Sequence, residues 1–339
     1  MPGMPHEPTP TSPPSMQDTV GLPNEFVIRA RSPRDDEQIV SLFNSHRPEL
    51  PPLTVEEFRL FTENRPPGFT AEDWVVDFRS TIIGTGGVFQ LTQSEPRVLA
   101  VVNQVHPVWE GRAIGDRLFE HLLQRAHHNA AVRLYASVSD THPYALNFAE
   151  RRGFTRDGHG VEFSRIDPRQ CAFNSYGELQ GRLASAGITF CTNENPHMLS
   201  KTLLENIYDL ERLLQAGIPG HDHYELPPYE QWEATMVGHE KISSDVCWIA
   251  MHEGKPVGLH RLTLTDTNAA WATFGAVHPH YRGKGIASAL HYHALEWSRE
   301  RRLEYVYAKN DATNIAIIAV ISKIGFSALA REIELVKEL

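Results

Sequence analysis

Cysteine is scarce. Cys171, Cys191 and Cys247 are the three in 339 residues, an odd, widely spaced set with no Cys-x-x-Cys pair. That excludes a disulfide framework or a zinc knuckle and leads us to expect a protein of the reducing cytoplasm. No run approaches the ~20 uncharged apolar residues that cross a bilayer, so no membrane role is expected. Positive charge is also short: Lys plus Arg number 32 against 42 Asp plus Glu, a formal charge of -10. A generic nucleic-acid binder carries the opposite footprint. What remains is 41% apolar and about twice the ~150-residue mode of a domain, enough for two cores.

Residues 1–24 hold seven prolines and almost no large apolar side chain, and are expected to form a disordered leader without a signal-peptide apolar region. From Phe26 the pattern predicts a strand, then a helix opened by Ser32-Pro33, and a second helix at Thr54 with Glu57 completing a capping box. Strands at 73–79, 82–90 and 97–105 follow. A helix with Ile114, Leu118, Leu122 and Ala126 on one face comes next, then a strand at 132–138 and a helix at 143–152.

A shift of 172 residues superposes Val105-His106-Pro107 on Val277-His278-Pro279, Gly111 on Gly283, Ile114 on Ile286, Leu118 on Leu290, and Gly153-Phe154 on Gly325-Phe326. A constant offset held over ~50 residues, with elements in the same order, implies duplication. The expected division is a first copy at 25–166, a helical connector at 167–186 and a second copy at 187–339. The second copy carries a strand at 188–192, a helix at 198–215, a Gly/Pro/His-rich loop at 217–228, and strands near 246–251, 256–264 and 270–277.

In the second copy the strand ending at Val277 leads into Arg282-Gly283-Lys284-Gly285-Ile286-Ala287 and an amphipathic helix. Glycines in such a turn let main-chain N–H groups approach a ligand, and the new helix start adds partial positive charge, the arrangement that holds a pyrophosphate. Arg282 and Lys284 add charge beside it. The spacing matches neither Walker A nor a dinucleotide fingerprint. Taken alone, the turn reads as an ordinary tight bend with solvated basic residues; its context favours the phosphate-binding reading instead.

This segment resembles the signature of the GNAT superfamily of N-acetyltransferases, Gln/Arg-x-x-Gly-x-Gly/Ala after a central strand. Asn310, Asn314, a helix at 312–323 and Gly325-Phe326 occupy the places of the family's downstream elements. The resemblance covers both copies. It implies a mixed α/β (α+β) fold of two tandem GNAT-like domains, each a twisted, mostly antiparallel sheet with one parallel central pair, flanked by helices. It also implies acetyl-coenzyme A as co-substrate, its pyrophosphate on residues 282–287, its pantetheine arm along the strand ending at Val277, and a backbone N–H near Val277 polarising the thioester carbonyl. The tyrosine that family members commonly place five residues before the Phe of the Gly-Phe pair is Ile321 here, and Ala149 in the first copy.

An amine acceptor is protonated at neutral pH and must lose a proton before it attacks. His260, and Asp222, His223 and Glu225 in the 217–228 loop, are the candidate bases; a histidine satisfied in the core or a solvated loop residue is the competing reading for each. His221-Asp222-His223 with Glu225 also suggests a metal site, a weaker reading. His291 and His293 sit roughly 200° apart around a helix and are expected at the surface.

In the first copy the turn reads Glu110-Gly111-Arg112-Ala113-Ile114-Gly115. An acid replaces Arg282 and an alanine replaces Gly285, both opposed to phosphate binding. The expectation is therefore transfer of acetyl from acetyl-coenzyme A to a primary amine of a small molecule, with chemistry in the second copy, in a monomer or homodimer. The alternative is a noncatalytic acyl-coenzyme A-binding or sensing protein.

Overall fold

The computed structural model describes the chain except residues 1–25, 64, 66–67, 92–94, 96, 195–198, 216–225 and 238–244. The first copy runs β1 (Val27–Ala30), α1 (Asp36–His46), α2 (Val55–Glu63), β2 (Ala71–Phe78), β3 (Thr81–Gln90), β4 (Val98–Val105), α3 (Ile114–His128), β5 (Arg133–Ser139), α4 (Pro143–Glu150) and β6 (Thr155–Ile166). The connector forms α5 (Tyr176–Ser185). The second copy then runs β7 (Ile188–Thr192), α6 (Lys201–Gln215), α7 (Tyr229–Val237), β8 (Asp245–His252), β9 (Lys255–Leu264), β10 (Ala269–Val277), α8 (Ile286–Glu300), β11 (Tyr305–Asp311), α9 (Ile315–Ile324) and β12 (Ser327–Glu338).

Local chemistry explains the first helices. Thr54 N–H donates to Glu57 Oε2 at 2.8 Å, and Glu57 N–H donates back to Thr54 Oγ1 at 3.1 Å, a complete capping box. Asp36, fully buried, is held by Arg31 at 2.7 Å and Arg59 at 2.8 Å. A buried carboxylate with two cationic partners fixes where α1 lies.

Among the described residues twelve strands form one sheet in the order β1-β2-β3-β4-β5-β12-β6-β11-β10-β9-β8-β7. The two copies exchange their last strands within it. β12 lies between β5 and β6, antiparallel to both, and β6 lies between β12 and β11. The division at 166 and 187 thus follows the chain, while the sheet crosses it. Leu335 of β12 is 0% exposed and packs with Leu99, Leu118, Leu122 and Leu134 of the first copy. An ion pair between Arg47, just after α1, and Glu332 of β12 ties the same seam.

Among the described strands two pairings are parallel, β4 with β5 and β10 with β11. The first ends at Ala100 and Tyr135, the second at Ala272 and Ala308. Past those points each pair separates. His106 N–H donates to Ile83 O at 2.9 Å, so alternation along β4 turns the N–H groups of Asn103 and Val105 toward β5. His278 N–H donates to Val257 O at 2.9 Å in the same way and turns those of Gly275 and Val277 toward β11.

Among the described residues no helix is long and apolar enough to cross a membrane.

Candidate functional site

The glycine turn has the same backbone in both copies. Gly283 and Gly285 have φ of +76° and +89°; Gly111 and Ala113 have +73° and +59°. Ala113 thus holds the left-handed conformation at some cost and caps α3 as Gly285 caps α8. At Gly285 an added Cβ would stand 2.7 Å from Leu179 Cδ1 of α5, so there glycine answers a close approach as well as φ. Arg282 Nε donates to Val277 O at 3.1 Å, and Lys284 Nζ lies 4.9 Å from the Tyr281 ring centre. Ile286 is buried and Ala287 packs against the same core. Asn314 Oδ1 accepts from Ile317 N at 3.4 Å as the cap of α9, and Asn310 borders a small cavity.

The two strand gaps differ in content. In the second copy a cavity of about 30 Å³ remains, lined by His260, Phe274, Gly275, His291, Asn310 and Ile321 among others. That is room for about one water. In the first copy a cleft of about 1130 Å³ passes through the β4–β5 gap. Val102, Ala145 and Ala149 line it at the positions that Phe274, Ile317 and Ile321 fill in the second copy. Smaller side chains keep the first gap open. At about 1130 Å³ the cleft slightly exceeds the ~300–1,000 Å³ of ordinary ligand pockets.

One wall of this cleft comes from the end of α1. Asn44 brackets Leu53, donating from Nδ2 to Leu53 O at 2.9 Å and accepting Leu53 N–H at 2.8 Å, which pins the segment after α1 against the gap. His46 lines the cleft, and its Nδ1 is buried without a hydrogen-bond partner. Burial, then the neighbouring His142 and His106, push its pKa down to about 4. The imidazole is therefore neutral at physiological pH. Ser137, Ser139 and Gln104 add polar groups, and Glu334 arrives on the exchanged strand.

The sequence-derived base candidates fare differently. His260 is 2% exposed, with its ring centre 4.1 Å from that of His291 and its Nδ1 unpartnered. Burial, with His291 adding to it, drives its pKa well below the ordinary histidine value. It replaces Gly86 of the first copy across the sheet, while Gly275 replaces Asn103 and leaves room for the ring. Asp222, His223 and Glu225 lie outside the described residues, as does His221. Among the described residues no three His, Cys, Asp or Glu converge as a metal site requires. His46 was missed because nothing in its local pattern marks it; the topology alone brings the end of α1 to the gap.

His291 is a correction, and so in part is His293, which is half-buried against Phe190 with its Nε2 unpartnered. His291 is 5% exposed, because α8 is covered by α5 as well as by the sheet, and burial lowers its pKa to about 4. Its folded pKa lies below the unfolded 6.5, so the unfolded chain binds the proton first as pH falls. Stability is present above pH 6.5 and declines toward pH 4, by about 3 kcal/mol for this group. His291→Phe, which installs the side chain found at the equivalent Phe119, should flatten that decline in denaturation midpoints taken across the window.

Comparison with known proteins follows the geometry. A family model described as the acetyltransferase (GNAT) family matches residues 37–154 and again 204–326. Among solved structures, a tandem GNAT protein from the clavulanic acid biosynthesis pathway is similar over 93% of this chain and 98% of its own. It shows 21% identity and a TM-score of 0.68. A GCN5-related N-acetyltransferase from Sphaerobacter thermophilus is 20% identical over 94% of this chain and 96% of its own, also with a TM-score of 0.68. No curated protein sequence matches.

Proposed function

Because the chain belongs to the acetyltransferase (GNAT) family, with two family domains in tandem, we propose that it acetylates a primary amine of a small molecule in the open β4–β5 gap of its first copy. Membership makes it an acetyl-coenzyme A-dependent N-acetyltransferase; the acceptor and the choice of copy are this reading's own. The observation that carries it is the contrast between about 1130 Å³ in one gap and about 30 Å³ in the other. This departs from the sequence-based expectation, which weighed phosphate-binding charge and placed chemistry in the second copy.

Acetyl-coenzyme A supplies an acetyl thioester, an electrophile that a free amine can attack. The unpaired edge of β4 offers the N–H groups of Asn103 and Val105 to a carbonyl oxygen lying in the gap, donors fixed in place by the sheet. The left-handed bend at Gly111 and Ala113 and the start of α3 offer further N–H groups for phosphate, with Arg112 beside them. Glu110 opposes that anion, so the fit rests on backbone more than on charge. As the C–N bond forms, the attacking nitrogen becomes strongly acidic, and His46, neutral and at the acceptor wall, accepts its proton on an imidazole nitrogen; the C–S bond then breaks and coenzyme A leaves as the thiolate, which takes a proton from solvent. Gln104, Ser137 and Ser139 orient the acceptor.

A second reading concerns the other turn. Arg282, Lys284 and the nest at Gly283 and Gly285 favour a second coenzyme site there, extending to Val277, Ile286, Ala287, Asn310 and Asn314 as the resemblance implies. Calorimetry on the full chain separates the cases: two sites per chain support it, and one site lost on Arg282→Glu assigns the coenzyme to the second copy.

For the main reading, an amine panel should give acceptor-dependent release of coenzyme A thiol. His46→Gln should lower kcat about 10²- to 10⁴-fold, the range for loss of a general base. Unchanged kcat in that variant would remove His46 from the mechanism.

A further inference from the structure

The floor of the open cleft is built by both copies. Glu334 of β12 pairs across from Ser137 of β5, and both line the cleft together with Asp157 of β6. Neighbouring strands are about 4.8 Å apart. Glu334 therefore stands about one spacing from β5, and Asp157 about two. The cleft continues as far as Trp271 of β10, whose ring lies 5.3 Å from Tyr307 and 6.1 Å from Phe163. It is elongated, with an aromatic face at its far end.

Its charge is one-sided. The lining includes the carboxylates of Glu57, Glu110, Asp157 and Glu334, whereas its one Arg or Lys among the described residues is Arg47. That guanidinium is engaged by Glu332 and lies 5.8 Å from the Phe163 ring centre. An acceptor bearing a carboxylate or phosphate thus meets no uncommitted cation. Among the described residues neither the Asp157 nor the Glu334 carboxylate has a side-chain hydrogen-bond or ion-pair partner. The charged groups around Glu334 are Asp157 and His159 of β6 and Lys309 and Asp311 of β11. His159 lies 3.7 Å from Asp311, and the Lys309 pKa is lowered by burial and by Arg47, with Glu334 acting in the opposite direction. Burial also raises the Glu334 pKa, with Asp311 and Asp157 adding to it. A ligand cation would relieve that crowding.

We infer that the acceptor is an elongated amine carrying a second ammonium group, which Glu334 and Asp157 hold while the reactive end enters the β4–β5 gap. The inference rests on the reading that transfer occurs in that gap. Trp271 supplies a π-face on which a longer cationic acceptor continues.

The test compares linear α,ω-diamines with monoamines of equal length on the full chain. Diamines should show kcat/KM about 10- to 100-fold higher, the scale of one charge-assisted contact. Glu334→Gln, and independently Asp157→Asn on another strand, should pull that ratio toward one. Glu334→Lys should transfer the preference to ω-amino carboxylates. Calorimetric binding of a diamine to the coenzyme-free protein should weaken in the order wild type, Glu334→Gln, Glu334→Lys. Monoamines that match diamines, or a ratio and a binding constant indifferent to all three variants, overturn the inference. Diamine binding that depends on Glu334 without turnover of any amine keeps the diammonium site at Glu334 and Asp157 and overturns both the transfer reading and the acceptor role inferred from it.

Discussion

Ala149→Ile should abolish most amine-dependent release of coenzyme A thiol, lowering kcat/KM by at least about 100-fold while the chain stays folded. Ala149 lines the open gap, and the second copy shows what a larger side chain does there. Ile321, at the equivalent position, is 2% exposed and borders a cavity of about 30 Å³. The added carbons displace either the acyl group or the amine from reacting distance, and small misplacements cost orders of magnitude in rate. Overpacking itself costs about 1–3 kcal/mol, so the melting midpoint should fall only modestly. Ala145→Ile, copying Ile317, should act in the same direction. Ile321→Ala opens space in the second copy and should cost about 2–5 kcal/mol of stability without lowering turnover. Full activity in Ala149→Ile would send the chemistry to the second copy.

Leu335→Ala should destabilise the whole chain by about 2–5 kcal/mol and leave a single denaturation transition. The residue sits four positions from the C-terminus, yet it is fully buried in the core of the first copy. Removing its side chain leaves a cavity beside Leu99, Leu118, Leu122 and Leu134. Because both neighbours of β6 and both neighbours of β12 belong to the other copy, the copies cannot come apart without breaking three ladders, β5–β12, β12–β6 and β6–β11. The denaturant midpoint should therefore shift with little change in slope. Two resolved transitions, with one copy indifferent to the substitution, would contradict an exchanged sheet.

Much of the local structure was legible in the sequence because its causes are local. The reciprocal bonds of Thr54 and Glu57 need three residues of separation and nothing more. The face of α3 built from Ile114, Leu118, Leu122 and Ala126 is buried as its period predicts. The bend at Gly283 and Gly285 takes left-handed φ because glycine permits it. His291 shows where this fails: a helix period identifies one apolar face, but α8 is covered on a second side by the connector, which the period does not register.

The amino-acid sequence by itself determined the duplication, the strand, glycine bend and helix order, and through these the family and its donor. Those features reside in backbone conformation and in periodicity, which neighbouring residues set. The tertiary structure alone decided the strand exchange, since the partners that β6 and β12 pair with are set by contacts distant in sequence. It alone decided which gap stays open, since the difference between Ala149 and Ile321 is only a few methylenes until opposing strands and helices close around them. Packing density turns that small difference in volume into an open cleft on one side and a filled core on the other.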